Sequence, residues 1–289
     1  MIDYKGKIVV IAGPTASGKS DIALRLAKDI NGYIINGDSR QIYKDLNIGT
    51  AKPVFDKGNI LDGVKHYLYD YVNPKDNYTL YDYQKDVQKI LENEKSIPIL
   101  TGGTGLYMDS VVFNYNLVKN NKNISDLDSK SVEELQSIAG SLINDMNESD
   151  RENKHRLIRV IERGGINREK GKSLNHIYFV LNIEKEKLKT RVQERVNRMF
   201  DMGLLEENID LLSKGYTYLD RGMNSIGYIE FKEYFEDKIS LDEVKEKIFK
   251  NTMSYIKRQK TWFKRNKESI WIDNYADIYQ KASTFILGK

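Results

Sequence analysis

The sequence predicts an α/β fold: an open parallel sheet with a small helical insertion and a helical C-terminal part. Three observations carry that prediction. Short β-branched runs bounded by Gly, Asn or Asp recur along the 289-residue chain. Stretches of helical length separate those runs, the alternation expected of a parallel sheet with crossover helices. After Phe113 the texture changes, as an Asn-rich stretch leads into apolar residues at helical spacing with acids between them.

The strands come first. IVVIAG (Ile8–Gly13), YIINGD (Tyr33–Asp38), IPILTGG (Ile97–Gly103) and IYFVLNI (Ile177–Ile183) are nearly continuous apolar runs, which suit strands covered on both faces. Ser20–Ile30 and Leu80–Glu94 are the helices expected between them, and beyond Ile183 the chain reads as mostly helical to about Asn266. The expected organisation is a core of residues 1–114 and 172–289 interrupted by a short insertion, residues 115–171. Ligands of such sheets bind beyond the carboxyl ends of the strands, where this sequence places its glycines and acids.

Composition narrows the chemistry. There are no cysteines, which excludes disulfide frameworks, thiolate metal sites and a cysteine nucleophile. The histidines, His66, His155 and His176, are too scattered to suggest zinc. No run approaches the roughly 18 apolar residues of a membrane span. MIDYKGKIVVIAG leads into a strand without the order of a secretory signal, so a cytoplasmic location is the expectation, with a monomer as the default state. The net charge of +4 says little about partners, but its distribution says more. Arg151–Lys172 holds eight Lys or Arg against three Glu, and Lys250–Lys267 holds seven against no acid.

Gly13, Pro14, Thr15, Ala16, Ser17, Gly18, Lys19 and Ser20 spell GPTASGKS, a match to G-x-x-x-x-G-K-[ST] placed after a strand and before a helix. Glycines let backbone N–H groups curl around phosphate oxygens, Lys19 supplies a point charge, and Ser20 can ligate Mg²⁺. The fold expected is therefore that of P-loop-containing nucleoside triphosphate hydrolases, with a nucleotide such as ATP among the ligands the loop admits. The loop identifies a diphosphate rather than a reaction. IPILTGG ends without the acid an NTPase uses for its metal, and no NKxD motif is present.

Asp38 ends the second strand, where a side chain faces the phosphate cleft. It could bind metal-bound water, hold a ribose, act as a general base or cap the next segment. At this point a resemblance becomes visible. DSRQIYKDLNIGTAKP (Asp38–Pro53) resembles the signature of tRNA dimethylallyltransferases, whose phosphate loop usually reads GPTASGKS. VKHYLYDYVNP around His66, PILTGGTGLY (Pro98–Tyr107), HRLIRVIE (His155–Glu162), RVQERVNRMFDMGLLEE (Arg191–Glu207), SIGY (Ser225–Tyr228) and KRQKTWFKR (Lys257–Arg265) follow in order. The resemblance covers nearly the whole chain and is to the bacterial type with a shortened insertion, because the interval before HRLIRVIE is short and acidic.

The resemblance implies attack by the exocyclic amine of an adenine, 3′-adjacent to the anticodon, on the allylic carbon of dimethylallyl diphosphate. Asp38 is then the base, and Lys19, Ser20 with Mg²⁺, and Thr104 stabilise the departing pyrophosphate. Arg191 and Arg195, at i and i+4 on one helical face, would close over the same phosphates. His66 reads as a hydrogen-bonded structural residue. The anticodon arm of tRNA would be gripped by Asp38, Ser39, Arg40, Gln41 and Thr104 at the flipped base. His155, Arg156, Leu157, Ile158 and Arg159 of the insertion, and Lys257, Arg258, Gln259 and Trp262 near the C-terminus, would hold the rest. An adenylate isopentenyltransferase acting on a free nucleotide, a P-loop small-molecule kinase and a non-catalytic RNA-binding protein remain open as alternatives at this point.

Overall fold

The computed structural model describes residues 1–117, 126–144, 146–163 and 170–288, without the side chains of Asp128 and Arg163. The first elements are β1 (Ile8–Ala12), α1 (Lys19–Asp29), β2 (Tyr33–Asn36), β3 (Ile60–Leu61), β4 (Val64–Tyr67), α2 (Leu80–Asn93), β5 (Pro98–Gly102) and α3 (Gly105–Val112). Then come α4 (Val132–Ala139), α5 (Glu148–Arg151), α6 (Lys154–Arg163), β6 (His176–Leu181), α7 (Lys185–Asp201) and α8 (Leu204–Ser213). The chain closes with α9 (Phe231–Phe235), α10 (Leu241–Phe263), β7 (Ser269–Ile272) and α11 (Tyr275–Leu287).

Among the described residues, seven strands form one sheet in the order β3-β4-β2-β5-β1-β6-β7, parallel throughout except for the short β3–β4 pair. All four sequence-predicted strands lie in it, side by side as β2, β5, β1 and β6. Every residue of β1, β2 and β5 is buried, which is why those segments read as unbroken apolar runs rather than alternating ones. The three strands that sequence reading missed lie at the two margins of the sheet. VKHY in β4 alternates buried and exposed positions, and SIWI in β7 is largely half-buried, so neither shows the fully apolar signal.

Three neighbouring strands deliver the site. In register, Asn36 faces Thr101 and Ala12 faces Gly102, so β2, β5 and β1 end level with one another. The backbones after β2 and β5 then touch: Gly37 N donates to Thr101 O at 2.6 Å, and a Cβ on Gly102 would fall 2.1 Å from the Gly37 carbonyl carbon. Gly102 is therefore required by this close backbone approach, and any side chain there would force the two loops apart.

The helical part encloses a second core. Leu188, Val192, Val196 and Met199 of α7 pack with Leu204, Phe231, Val244, Ile248 and Ile256. Ser240 caps α10 by accepting from Glu243 N, while Glu243 caps back onto Ser240 N, securing the start of a 23-residue helix.

The chain divides into two compact units, Met1 with Phe113–Ser173, and Ile2–Val112 with Leu174–Lys289. The smaller unit has its own apolar centre of Leu127, Leu135, Ala139, Met146, Leu157, Ile158, Val160 and Ile161. An antiparallel bridge between Tyr115 and Lys170 and the Gly171 N to Asn114 O bond at 2.8 Å close its base. This core corrects one expectation. Leu157 (0% exposed) and Ile158 (8%) point into the unit's interior and cannot present side chains to RNA, whereas His155, Arg156 and Arg159 of the same helix are exposed. Arg156 pairs with Asp150.

Candidate active site

The phosphate loop joins β1 to α1. Its curl is set by two left-handed residues, Ala16 at φ 63° and Gly18 at φ 85°, and by the Ser17 N to Pro14 O bond at 3.2 Å. Gly13 lies against Ser17 Oγ, 2.7 Å from where a Cβ would sit. Ser17 Oγ itself is buried without a hydrogen-bond partner among the described residues. Lys19 Nζ donates to Pro14 O at 3.4 Å, and Ser20 is exposed at the start of α1.

Asp38 follows β2 in a turn that holds its backbone rigidly. Its N–H donates to Asn36 Oδ1 at 2.8 Å, and its Oδ1 accepts from Arg40 N at 2.9 Å. Thr104, after β5, is bound to the same turn. Thr104 N donates to Gly37 O at 3.1 Å, and Thr104 Oγ1 accepts from Ser39 N and donates to Ser39 Oγ, both at 3.1 Å. Asp38 and Thr104 are thus brought together by the Ser39 turn.

The two arginines of α7 separate in role. Arg191 Nη1 donates to the carbonyls of Ala16 and Ser17 at 3.3 Å each, on the phosphate loop itself. Arg195 reaches the Thr50 carbonyl at 3.4 Å and lines the neighbouring cavity. Desolvation lowers the pKa of Arg195, and Asp38 opposes that shift. Desolvation also pulls Lys19 down to about 8, with the attraction of Asp38 acting upward and the repulsion of Arg195 downward. Asp38 and Arg195 therefore both lie close enough to Lys19 for their charges to act on it.

A cavity of about 450 Å³ opens beside these groups. Thr15 of the phosphate loop and Asp38, Ser39 and Arg40 line it, together with Gly49, Thr50, Arg195, Tyr255 and Arg258. An apolar wall follows from Val192, Val196, Met199, Ile226, Ile229 and Ile248, with Asn224, Ser225, Glu230, Asn251 and Thr252 completing the lining. Lys19, Ser20 and Thr104 are not part of the lining. Val192, Val196 and Met199 have the spacing of an ordinary core stripe, so their sequence cannot distinguish a cavity wall from packed interior.

Tyr255 is the notable functional candidate that sequence reading missed. It sits half-buried on α10, and desolvation, then the nearby Asp38 charge, hold its phenol above its usual pKa, while Thr104, Arg40 and Gln259 act in the opposite sense. The motif KRQKTWFKR pointed to the helix, and Tyr255 lies two residues before it.

The C-terminal basic stretch splits by face. Lys257 and Arg258 are exposed. Gln259 is 4% exposed; its Oε1 accepts from Thr15 N at 2.9 Å and its Nε2 donates to Gly103 O at 2.9 Å. The expectation that Gln259 contacts RNA is corrected: the side chain is buried and each end of its amide already binds backbone. Trp262 is half-buried over Gly105 and donates to Asp109 Oδ2 at 2.8 Å, so its indole is anchored in the core unit. Gln41 spends its amide donors on the Thr50 and Ala51 carbonyls at 3.1 and 2.9 Å. His66 is buried, with Nδ1 3.0 Å from Val64 O and a pKa lowered by desolvation, which fits a structural role.

Residues 41–266 match the family model described as IPP transferase. This chain belongs to the IPP transferase family. Similar solved structures span nearly all of the family member. A tRNA isopentenylpyrophosphate transferase from Bacillus halodurans is 29% identical with a TM-score of 0.74, covering 98% of this chain and 96% of that one. A tRNA Δ2-isopentenylpyrophosphate transferase from Staphylococcus epidermidis is 28% identical with a TM-score of 0.73, covering 99% and 100%. A eukaryotic dimethylallyltransferase acting on tRNA shares the fold at a TM-score of 0.81 and 23% identity, over 99% of this chain and 80% of that one. Among the described residues, no helix of this family member is long and apolar enough to cross a membrane, and no cluster of three or more His, Asp or Glu could hold a metal unaided.

Proposed function

We propose that this IPP transferase moves a dimethylallyl group from dimethylallyl diphosphate to N6 of the adenine 3′-adjacent to the anticodon in tRNA. One observation carries the reading: a single cavity is lined by both Asp38 and Thr15 of the phosphate loop, with an apolar wall in the same lining. A carboxylate, an isoprenoid-sized apolar surface and an anion cradle are the three parts such a reaction needs.

The adenine amine attacks poorly because its lone pair is delocalised into the ring. Asp38 takes the N6 proton as the N6–C1 bond forms, and the electron pair of the breaking C1–O bond leaves with pyrophosphate. Lys19, the loop amides, Arg191 and Thr104 face the charge that accumulates on the leaving group. Burying five prenyl carbons at about 0.8 kcal/mol each contributes on the order of 4 kcal/mol and keeps water from the allylic carbon.

The residues also suit Mg²⁺. That ion keeps several waters and leans on substrate phosphates, so one hydroxyl such as Ser20 Oγ suffices without an acidic cluster. When bound, it would neutralise part of the diphosphate charge. Ser39 and Arg40 at the cavity mouth, Lys257 and Arg258 on α10, and the exposed His155, Arg156 and Arg159 of α6 are the proposed RNA contacts. A monomer working in the cytoplasm completes the reading.

The test is to offer labelled dimethylallyl diphosphate with unmodified tRNA, with AMP, and without acceptor, and ATP in parallel. Label is expected in tRNA alone. Label in AMP, or phosphate transfer from ATP, would overturn the proposal.

Lys19 sets a pH dependence. Its ammonium is full below its pKa of about 8 and is lost above it. Because the charged form binds the diphosphate, pyrophosphate affinity of the free protein is expected to fall as pH rises between roughly pH 7 and pH 9, with proton uptake on binding. Calorimetry in buffers of different ionisation enthalpy reads both, and a profile identical to that of Lys19→Met, which retains only the titration of pyrophosphate itself, would remove Lys19 from the cradle.

A further inference from the structure

Gln259 joins two loops that are far apart in sequence. Its Oε1 holds Thr15 N, 244 residues away, and its Nε2 holds Gly103 O, 156 residues away. From Gly103 the connection continues. Thr104 N binds Gly37 O, Thr104 Oγ1 binds both Ser39 N and Ser39 Oγ, and Asp38 Oδ2 lies 3.5 Å from where a Gly103 Cβ would sit. An unbroken series of hydrogen bonds thus runs from the phosphate loop through Gln259 to the Asp38 turn.

We propose that Gln259 is a positioning residue for prenyl transfer, holding the diphosphate cradle and the Asp38–Thr104 turn at the separation the reaction needs. The inference rests on the transfer reading above. Only a carboxamide offers an acceptor at one end and a donor at the other with this reach. Glutamate would set an oxygen against the Gly103 carbonyl, and leucine would leave a buried N–H and a buried C=O unpaired. Gly103 fits this contact: a Cβ there would lie 2.4 Å from Nε2, so a side chain would push the amide off the loop. Tyr255, one helical turn earlier, lines the cavity and lies close to Asp38 and Thr104. The Thr15 N–H is committed to this brace, which makes Gln259 part of the loop's shape rather than of an RNA surface.

The experiment uses the full chain with unmodified tRNA and dimethylallyl diphosphate. Wild type is assayed first. Failure of wild type to label tRNA sinks the transfer reading whatever Gln259 does. With wild type active, Gln259→Leu is expected to lower kcat about 10²-fold, the cost of misplacing reacting groups by about an ångström. The Kd for tRNA and its salt slope are expected to stay within about twofold of wild type, because no phosphate contact is removed. Gln259→Glu, which keeps the side-chain volume, is expected to lose kcat as well; the carboxyl buried against the Gly103 carbonyl also lowers its thermal midpoint, so both variants are assayed at a temperature where they are fully folded. A weakened tRNA Kd with kcat retained at saturating tRNA would make Gln259 an RNA contact and overturn the proposal. So would near-wild-type kcat in both variants, or a loss of kcat that disappears once each variant is assayed where it is fully folded.

Discussion

Asp38→Asn is expected to lower the single-turnover rate of prenyl transfer by about 10³-fold, within the range a general base contributes. Asparagine keeps Oδ1, and with it the bond from Arg40 N that shapes the turn, so the loss reports the missing base rather than a collapsed loop. Pyrophosphate affinity should hold within a few fold at low pH, because Lys19 and the phosphate loop are left in place; losing the attraction of Asp38 lowers the Lys19 pKa further, so affinity should begin to fall at a lower pH than in wild type. Rapid-quench transfer assays and calorimetry measure the two quantities. A variant that turns over at near-normal rate would take Asp38 out of the mechanism.

Lys19→Met is the complementary case. Removing a preorganised cation from the leaving group is expected to lower kcat by about 10²–10³-fold. Unlike Asp38→Asn, it should also weaken pyrophosphate binding, since Lys19 is charged in the ground state as well. The pH dependence of pyrophosphate affinity ascribed above to Lys19 should vanish in this variant. A Lys19→Met enzyme that keeps more than about a tenth of wild-type kcat would show that Arg191 and the loop amides suffice for departure. The two variants together separate failure of proton removal from failure of leaving-group stabilisation.

Arg195 shows how helix spacing can group residues that tertiary structure then assigns to different tasks. Its four-residue distance from Arg191 put both on one face, and both do face the site. The pitch of the helix nonetheless carries Arg191 to the Ala16 and Ser17 carbonyls and Arg195 one turn on, to the Thr50 carbonyl and the cavity. Gln259 and Leu157 show the converse failure. Each follows an exposed arginine, Arg258 or Arg156, yet each faces inward, because successive helical positions are about 100° apart. A motif therefore marks a stretch of chain, not which of its side chains reach solvent.

By itself the sequence determined the central strands, the phosphate loop, and the acid after β2. Those features are local: a fully apolar run, a glycine pattern and a strand-end position each act through their own backbone. Only the tertiary structure decided that β2, β5 and β1 end level, that Gln259 ties their loops together, and that an apolar wall from α7, α10 and the 226–229 turn shares a cavity with Asp38 and Thr15. The physical reason is that a cavity wall and a packed core use the same residues at the same spacing. What distinguishes them is whether a partner atom fills the space opposite, and that depends on segments remote in the chain.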